Sequence, residues 1–215
     1  LSHFAVHFSP IFYIALPIYF IFDNAITVQL IQAFMVAIPV IPILLLCKHH
    51  KLSNQMAIAV SLIYVLYPAT AGGTFYDIHE NCFITFFLLM LAWAVEKKKN
   101  VAAVIFAILS LMVKEDAPVY VFILGIFFLF SKKDKKRGVI LIVASAIYFA
   151  MATAIVNSYG LGIQEYRFGN LYFTQDGGLI QVFETLLANP GYAISQIIRN
   201  TNDNSMDKIG YIISM

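Results

Sequence analysis

Long uncharged runs alternate with short charged loops over most of the chain. Ala25 to Cys47, Asn54 to Ala71, Cys82 to Val95, Val101 to Val113, Ala117 to Phe130 and Gly138 to Tyr159 are almost wholly apolar. Between them lie Lys48-His49-His50-Lys51, the polar loop from Gly72 to Glu80, Glu96-Lys97-Lys98-Lys99, Lys114-Glu115-Asp116 and the basic loop from Ser131 to Arg137. The runs predict helices. Those at 25–47 and 138–159 suit a hydrocarbon core about 30 Å thick. The runs flanking Lys114, at about 1.5 Å per residue, reach only about 20 Å each, and that at 82–95 about 21 Å. If both arms of the 101–130 hairpin start from one membrane face, the charged turn sits within the far half of the bilayer. Charges there cost at least a few kcal/mol each unless paired or wetted.

The two ends differ from this middle. Residues 1–24 hold Ser2-His3-Phe4-Ala5-Val6-His7-Phe8-Ser9-Pro10 and a short run broken by Pro17, which reads as an outer juxtamembrane or re-entrant segment. Ser9-Pro10 has the form of a helix start, with serine as cap. Pro39 and Pro42 are expected to kink the first full span. Residues 160–207 turn polar, but Leu179, Val182, Phe183, Leu186 and Leu187 repeat at helical spacing before Asn189-Pro190-Gly191. They predict an amphipathic outer helix. Residues 208–215 read as the start of a further span. The chain is read as an internal piece of a longer protein.

Composition fixes the class. Hydrophobic residues make up 60% and charged residues 12%, with mean hydropathy +0.80, whereas soluble domains carry about 25% charged residues. The net charge of +2 gains meaning when divided by location. Residues 48–51, 96–100 and 131–137 hold ten of the fourteen Lys and Arg but two of the twelve Asp and Glu, a net +8, which leaves −6 elsewhere. The excess of Lys and Arg predicts that these three loops face the cytoplasm. The remaining polar motifs then lie at the outer end. Cys47 and Cys82 fall at opposite ends and cannot pair. Lysines confined to such loops give nucleic-acid binding no support.

Three constellations carry candidate chemistry. His3 and His7, one helical turn apart, present two ligands or two packing groups; without a third ligand they are a weak metal signal. Asp77, His79 and Glu80 suit a general base, relay or metal ligand, or alternatively cap the helix after them. Lys114, Glu115 and Asp116 suit either a neutralised brace across the hairpin or an anion site through Lys114 with an acidic ligand or base beside it. His49 and His50 are assigned to a solvated loop. The short arms predict that Asp77, His79 and Glu80 share one outer cavity with Lys114, Glu115 and Asp116.

Three stretches together carry a resemblance. His7-Phe8-Ser9-Pro10, Tyr76-Asp77-Ile78-His79-Glu80 and Val113-Lys114-Glu115-Asp116-Ala117 occur in the order found in the DUF2079 family of membrane proteins, itself similar to GT-C-type glycosyltransferases. The likeness extends to Tyr166-Arg167-Phe168-Gly169 and Asn189-Pro190. Where family members usually place proline and glutamate after the aspartate-histidine pair, Glu80 here follows His79 directly. The resemblance implies an all-α, multi-pass GT-C-like bundle in the cell membrane that moves a sugar from a polyprenyl-phosphate carrier to an outer acceptor. It also implies catalytic roles for Asp77, His79, Glu80, Glu115 and Asp116, and substrate binding by Lys114, His7 and Arg167, with or without a divalent metal ion. Membrane lipid and the lipid-linked sugar donor are the expected partners. A transporter or flippase using embedded charges, or a non-catalytic lipid-binding subunit, is the alternative. The expected layout is one helical membrane domain, 1–215, with spans near 25–47, 54–71, 82–95, 101–113, 117–130 and 138–159.

Overall fold

The computed structural model describes residues 7–72, 78–131, 134–159 and 179–192, and among these the chain is all-helical. Two compact units divide it, residues 1–160 and 161–215. In the first unit α1 spans Phe12–Ile21, α2 Ala25–Ala37, α3 Val40–His49, α4 Asn54–Leu66 and the short α5 Pro68–Gly72. A 3₁₀ turn at Glu80–Phe83 leads into α6, Ile84–Glu96, followed by α7, Asn100–Leu111, α8, Ala117–Phe130, and α9, Lys135–Ser158.

Local chemistry sets these boundaries. Asn24 caps α2 by accepting from Ile26 N–H at 2.9 Å, and Ser53 caps α4 by accepting from Met56 N–H at 3.2 Å. Such caps satisfy amide groups that a helix start leaves without partners. Prolines 39 and 42 separate α2 from α3 through a short turn, yet Ala25–His49 remains one apolar stretch long enough to cross a membrane. Lys135–Ser158 is the other stretch that meets this test, and four shorter apolar helices accompany them. Pro17 does not break α1, which runs through it. Ser9 does not cap that helix either; Phe12 and Tyr13 donate instead to the Ser9 and Pro10 carbonyls.

Two of the three basic corners reverse through lysine where glycine is usual. Lys51 and Lys98 have φ of 57° and 56°. After α3 the Leu52 N–H reaches the Cys47 carbonyl, and after α6 the Lys99 N–H reaches the Ala94 carbonyl. These six-to-one bonds close helix ends in the Schellman manner. Lysine accepts the left-handed strain there, and its charge adds to the basic excess of the corner.

Side-chain contacts sort the loops by end. His50 Nε2 lies 2.9 Å and His49 Nε2 3.5 Å from Glu96 Oε2, joining the 48–51 and 96–100 loops. Arg137 donates to Asn100 Oδ1 at 2.9 Å, bringing the 131–137 loop to the same place. All three basic loops therefore gather at one end of the first unit. His49 and His50 are not merely solvated, as expected from sequence, but flank a carboxylate whose side chain is 8% exposed.

Packing between helices relies on small residues and shape. Gly125 of α8 and Gly138 of α9 press backbone against backbone: a Cβ on Gly138 would lie 2.8 Å from the Gly125 carbonyl oxygen and from Leu129 N. Tyr64 of α4 donates to the Val36 carbonyl of α2 at 2.7 Å. One core cluster joins Ile11, Met35, Phe83, Phe87, Val113 and Ala117; another joins Leu91, Val95, Leu111, Val121, Phe128 and Leu141. Outside them Phe20, Ile63, Leu66, Val101 and Phe130 are exposed. So large an apolar exterior marks a surface that meets membrane or another protein.

In the second unit, α10 spans Leu179–Ala188, on the stretch expected to be an amphipathic helix. Val182 and Thr185 are buried while Leu187 is 85% exposed, so the buried face is turned slightly away from the apolar stripe. His3, Asp77, Arg167 and residues 208–215 lie outside the described residues.

Candidate functional site

Opposite the basic loops, four separate stretches meet around the α7–α8 turn. The chain before α1 is tied to that turn by Ile11 N–H, which donates to the Met112 carbonyl at 2.9 Å. Just ahead of it, Glu115 Oε2 accepts from Phe8 N–H at 2.9 Å, and Glu115 Oε1 lies 2.9 Å from His7 Nδ1. A carboxylate can only accept, so Nδ1 is assigned the proton. The core beneath them, built on Ile11, Val113 and Ala117, fixes both segments from below.

Lys114 turns the other way. Its Nζ stands 3.0 Å from Glu80 Oε1, with the lysine side chain 15% exposed and the glutamate 5%. Glu80 opens the 3₁₀ turn after His79, where a negative group also meets exposed backbone N–H groups. His79 itself is exposed, but its N–H donates to Gln32 Oε1 at 2.8 Å, and Gln32 is fully buried in α2. Thus α2 holds the loop that presents Glu80.

The electrostatics follow from this pairing. Burial pushes Glu80 upward, but its own backbone N–H and the Lys114 ammonium outweigh that and hold the carboxyl below the usual glutamate range. Burial would lower Lys114, yet the hydrogen bond to Glu80 and the charges of Glu80, Asp116 and Glu115 raise it above the usual lysine range. Asp116 is raised, first by desolvation and then by Glu115 and Glu80 against the pull of Lys114. By surface area Asp116 is exposed, so solvent screens much of that shift.

The structure therefore brings His7, Glu80, Lys114, Glu115 and Asp116 to one end of the helices, and His79 beside them through its backbone. Ser9 Oγ, buried in the same strap, has no hydrogen-bond partner among the described residues. Among the described residues, no group of three His, Cys, Asp or Glu is placed to hold a metal ion. Sequence reasoning missed Gln32 as a support, although a glutamine inside an apolar run is itself a signal.

A groove of about 540 Å³ adjoins this end. Ala15 and Ile18 of α1, Leu30 and Phe34 of α2, and Phe83 and Phe87 line it. Phe83, which lines the groove, is three residues from Glu80 in the same turn.

The DUF2079 family, described as a predicted membrane protein, matches residues 1–213. The chain belongs to this family. DUF2079 membership together with the two long apolar helices identifies a membrane protein. No curated protein and no solved structure matches the chain.

Proposed function

We propose that this DUF2079 protein is a multi-pass, GT-C-like glycosyltransferase of the cell membrane. It would move a sugar from a polyprenyl-phosphate carrier to an acceptor at the outer face. The observation that carries this reading is the gathering of a partly buried lysine and an exposed acid at one end of the helices, where Phe83, three residues after Glu80, also lines an apolar groove. A phosphate-headed isoprenoid has the same two-part chemistry, a charged head on a long apolar tail.

The roles of Lys114, Asp116 and His7 rest on their geometry. An ammonium has three donors, and the Glu80 bond uses one, so Lys114 can meet a donor phosphate without losing its acid. Asp116, unlike Glu80 and Glu115, faces solvent and is the group suited to take a proton from the acceptor hydroxyl. As that oxygen attacks the anomeric carbon, the bond to phosphate breaks and the polyprenyl phosphate leaves toward Lys114. Asp77, two residues before His79, is proposed to position the acceptor. His7 holds Glu115 and so shapes the phosphate side. A divalent ion enters none of these steps.

The gathering of the three basic loops at one end supports a cytoplasmic position for that end by the positive-inside tendency. Cysteines introduced at Thr74 or Gln175 should label from outside the cell, and those at Lys98 or Lys135 should not; the reverse pattern ends the outer-face assignment.

The pairing of Lys114 and of Glu115 favours a second reading, a structural brace with no chemistry. Activity separates the two. Asp116→Asn and Asp77→Ala should keep normal membrane levels but lower sugar transfer from polyprenyl-phosphate hexoses about 10²–10⁴-fold, the range of general-base catalysis. Full transfer by both variants would leave only the brace.

A further inference from the structure

A second groove, of about 510 Å³, opens at the basic end between α7 and α9. The proposed transfer site does not use it, and its charged mouth lies at the other end of the unit from Lys114. Its volume falls within the roughly 300–1,000 Å³ typical of small-molecule sites. Ala103, Ala107 and Leu111 form one wall; Ile140, Leu141 and Ala144 form the other. Small side chains on both helices leave the space, while Gly125 and Gly138 pull α9 toward α8 instead. From Asn100 to Leu111 the wall runs about 17 Å along α7.

Its mouth has the opposite character. Asn100, Asp134, Lys136 and Arg137 line it. Arg137 is held in place by Asp134 Oδ2 at 2.6 Å and Asn100 Oδ1 at 2.9 Å. Arg137 and Lys98 hold the Asp134 carboxyl below the usual range, so it stays ionised and cancels one positive charge, leaving Asp134, Lys136 and Arg137 with a net +1. The other acid at this end, Glu96, faces His49 and His50. Lys136 and Lys135 are exposed, and Lys99 rests 4.6 Å over the Trp93 ring. A tryptophan beside a lysine is typical of the membrane–water interface.

We propose that the α7–α9 groove binds an anionic phospholipid of the cytoplasmic leaflet. Its phosphate sits between Lys136 and Arg137, and one acyl chain lies between the alanines of the two helices. Charge complementarity selects this occupant. Basic pockets between membrane helices on the cytoplasmic side are established sites for anionic head groups, whereas a packing helix would gain nothing from the basic mouth.

The test uses the whole protein purified in a neutral detergent, with bound lipid read by native mass spectrometry. Phosphatidylglycerol, phosphatidylcholine and undecaprenyl phosphate are offered in competition. Phosphatidylglycerol should be retained about tenfold over phosphatidylcholine, a preference that two basic side chains near a head group can supply. Lys136→Ser, which alters only an exposed side chain, should reduce that preference, and adding Arg137→Gln should abolish it. Ala107→Trp and Ala144→Phe, from opposite walls, should each remove bound lipid while keeping the basic mouth. Equal retention of phosphatidylcholine, displacement of phosphatidylglycerol by undecaprenyl phosphate, or unchanged retention in both blocking variants would each overturn the proposal. Because the readout is lipid retention, it stands or falls independently of sugar transfer.

Discussion

Glu80→Ala and Lys114→Ala should each destabilise the protein by about 3–5 kcal/mol, because each leaves an opposite charge largely buried without its partner. The two side chains stand 3.0 Å apart with 5% and 15% of their surface exposed. Replacing both, as Glu80→Gln with Lys114→Met, should recover most of the loss, since no unpaired charge then remains. A double-mutant cycle on detergent-solubilised protein isolates this coupling. Additive single effects would show that the pair is not an energetic unit. The pH dependence has a definite sign. Glu80 is lowered, so its contribution is full above the ordinary glutamate range and fades as pH falls through its folded value. Lys114 is raised, so its contribution is full below the ordinary lysine range and fades as pH rises past it. Stability from the pair should therefore be flat between about pH 5 and pH 10 and drop on both sides; a single transition near neutrality would contradict it.

Gly138→Ala should loosen α9 by about 1–3 kcal/mol through overpacking, a fall of roughly 2–10 °C in melting temperature. The three nearest atoms to the added Cβ are backbone atoms, at 2.8, 2.8 and 3.0 Å, so no side chain can swing aside. Ordinary helix propensity would push the other way by about 1 kcal/mol. Gly72, where an added Cβ would meet nothing within 4 Å, is the matched control and should tolerate alanine. In lipid the apolar surface of α9 gains little from burial alone, and close backbone approach is what holds such helices together. If Gly138→Ala melted with the unaltered protein, the α8–α9 contact would not be a principal source of stability.

The helices were legible because membrane helices are written in long uncharged runs, and the basic loops mark their turns. The hairpin around Lys114 could be read from the brevity of Val101 to Val113 and Ala117 to Phe130. Partner choice could not. Nothing local tells Lys114 to choose Glu80, 34 positions earlier, over the adjacent Glu115, or sends Glu115 to His7, 108 positions away. Those choices follow from which helix ends meet, a long-range property. Ser9-Pro10 shows the reverse error: a local signature for a cap was overridden when Ile11 was drawn into the core and bonded to Met112. His49 and His50 looked idle in sequence because Glu96 lies in a different loop.

The order of synthesis bears on the Glu80–Lys114 pair. Glu80 leaves the ribosome 34 residues before Lys114, about 2–7 s at ordinary elongation rates of roughly 5–20 residues per second. In the proposed multi-pass topology the acid reaches the bilayer during that interval, ahead of its base. It must wait protonated, or in the hydrated mouth of the insertion machinery, until the hairpin arrives. The α7–α8 arms are short and their turn is charged, so they would enter as one unit, and capture of Lys114 by the waiting carboxylate would complete their insertion.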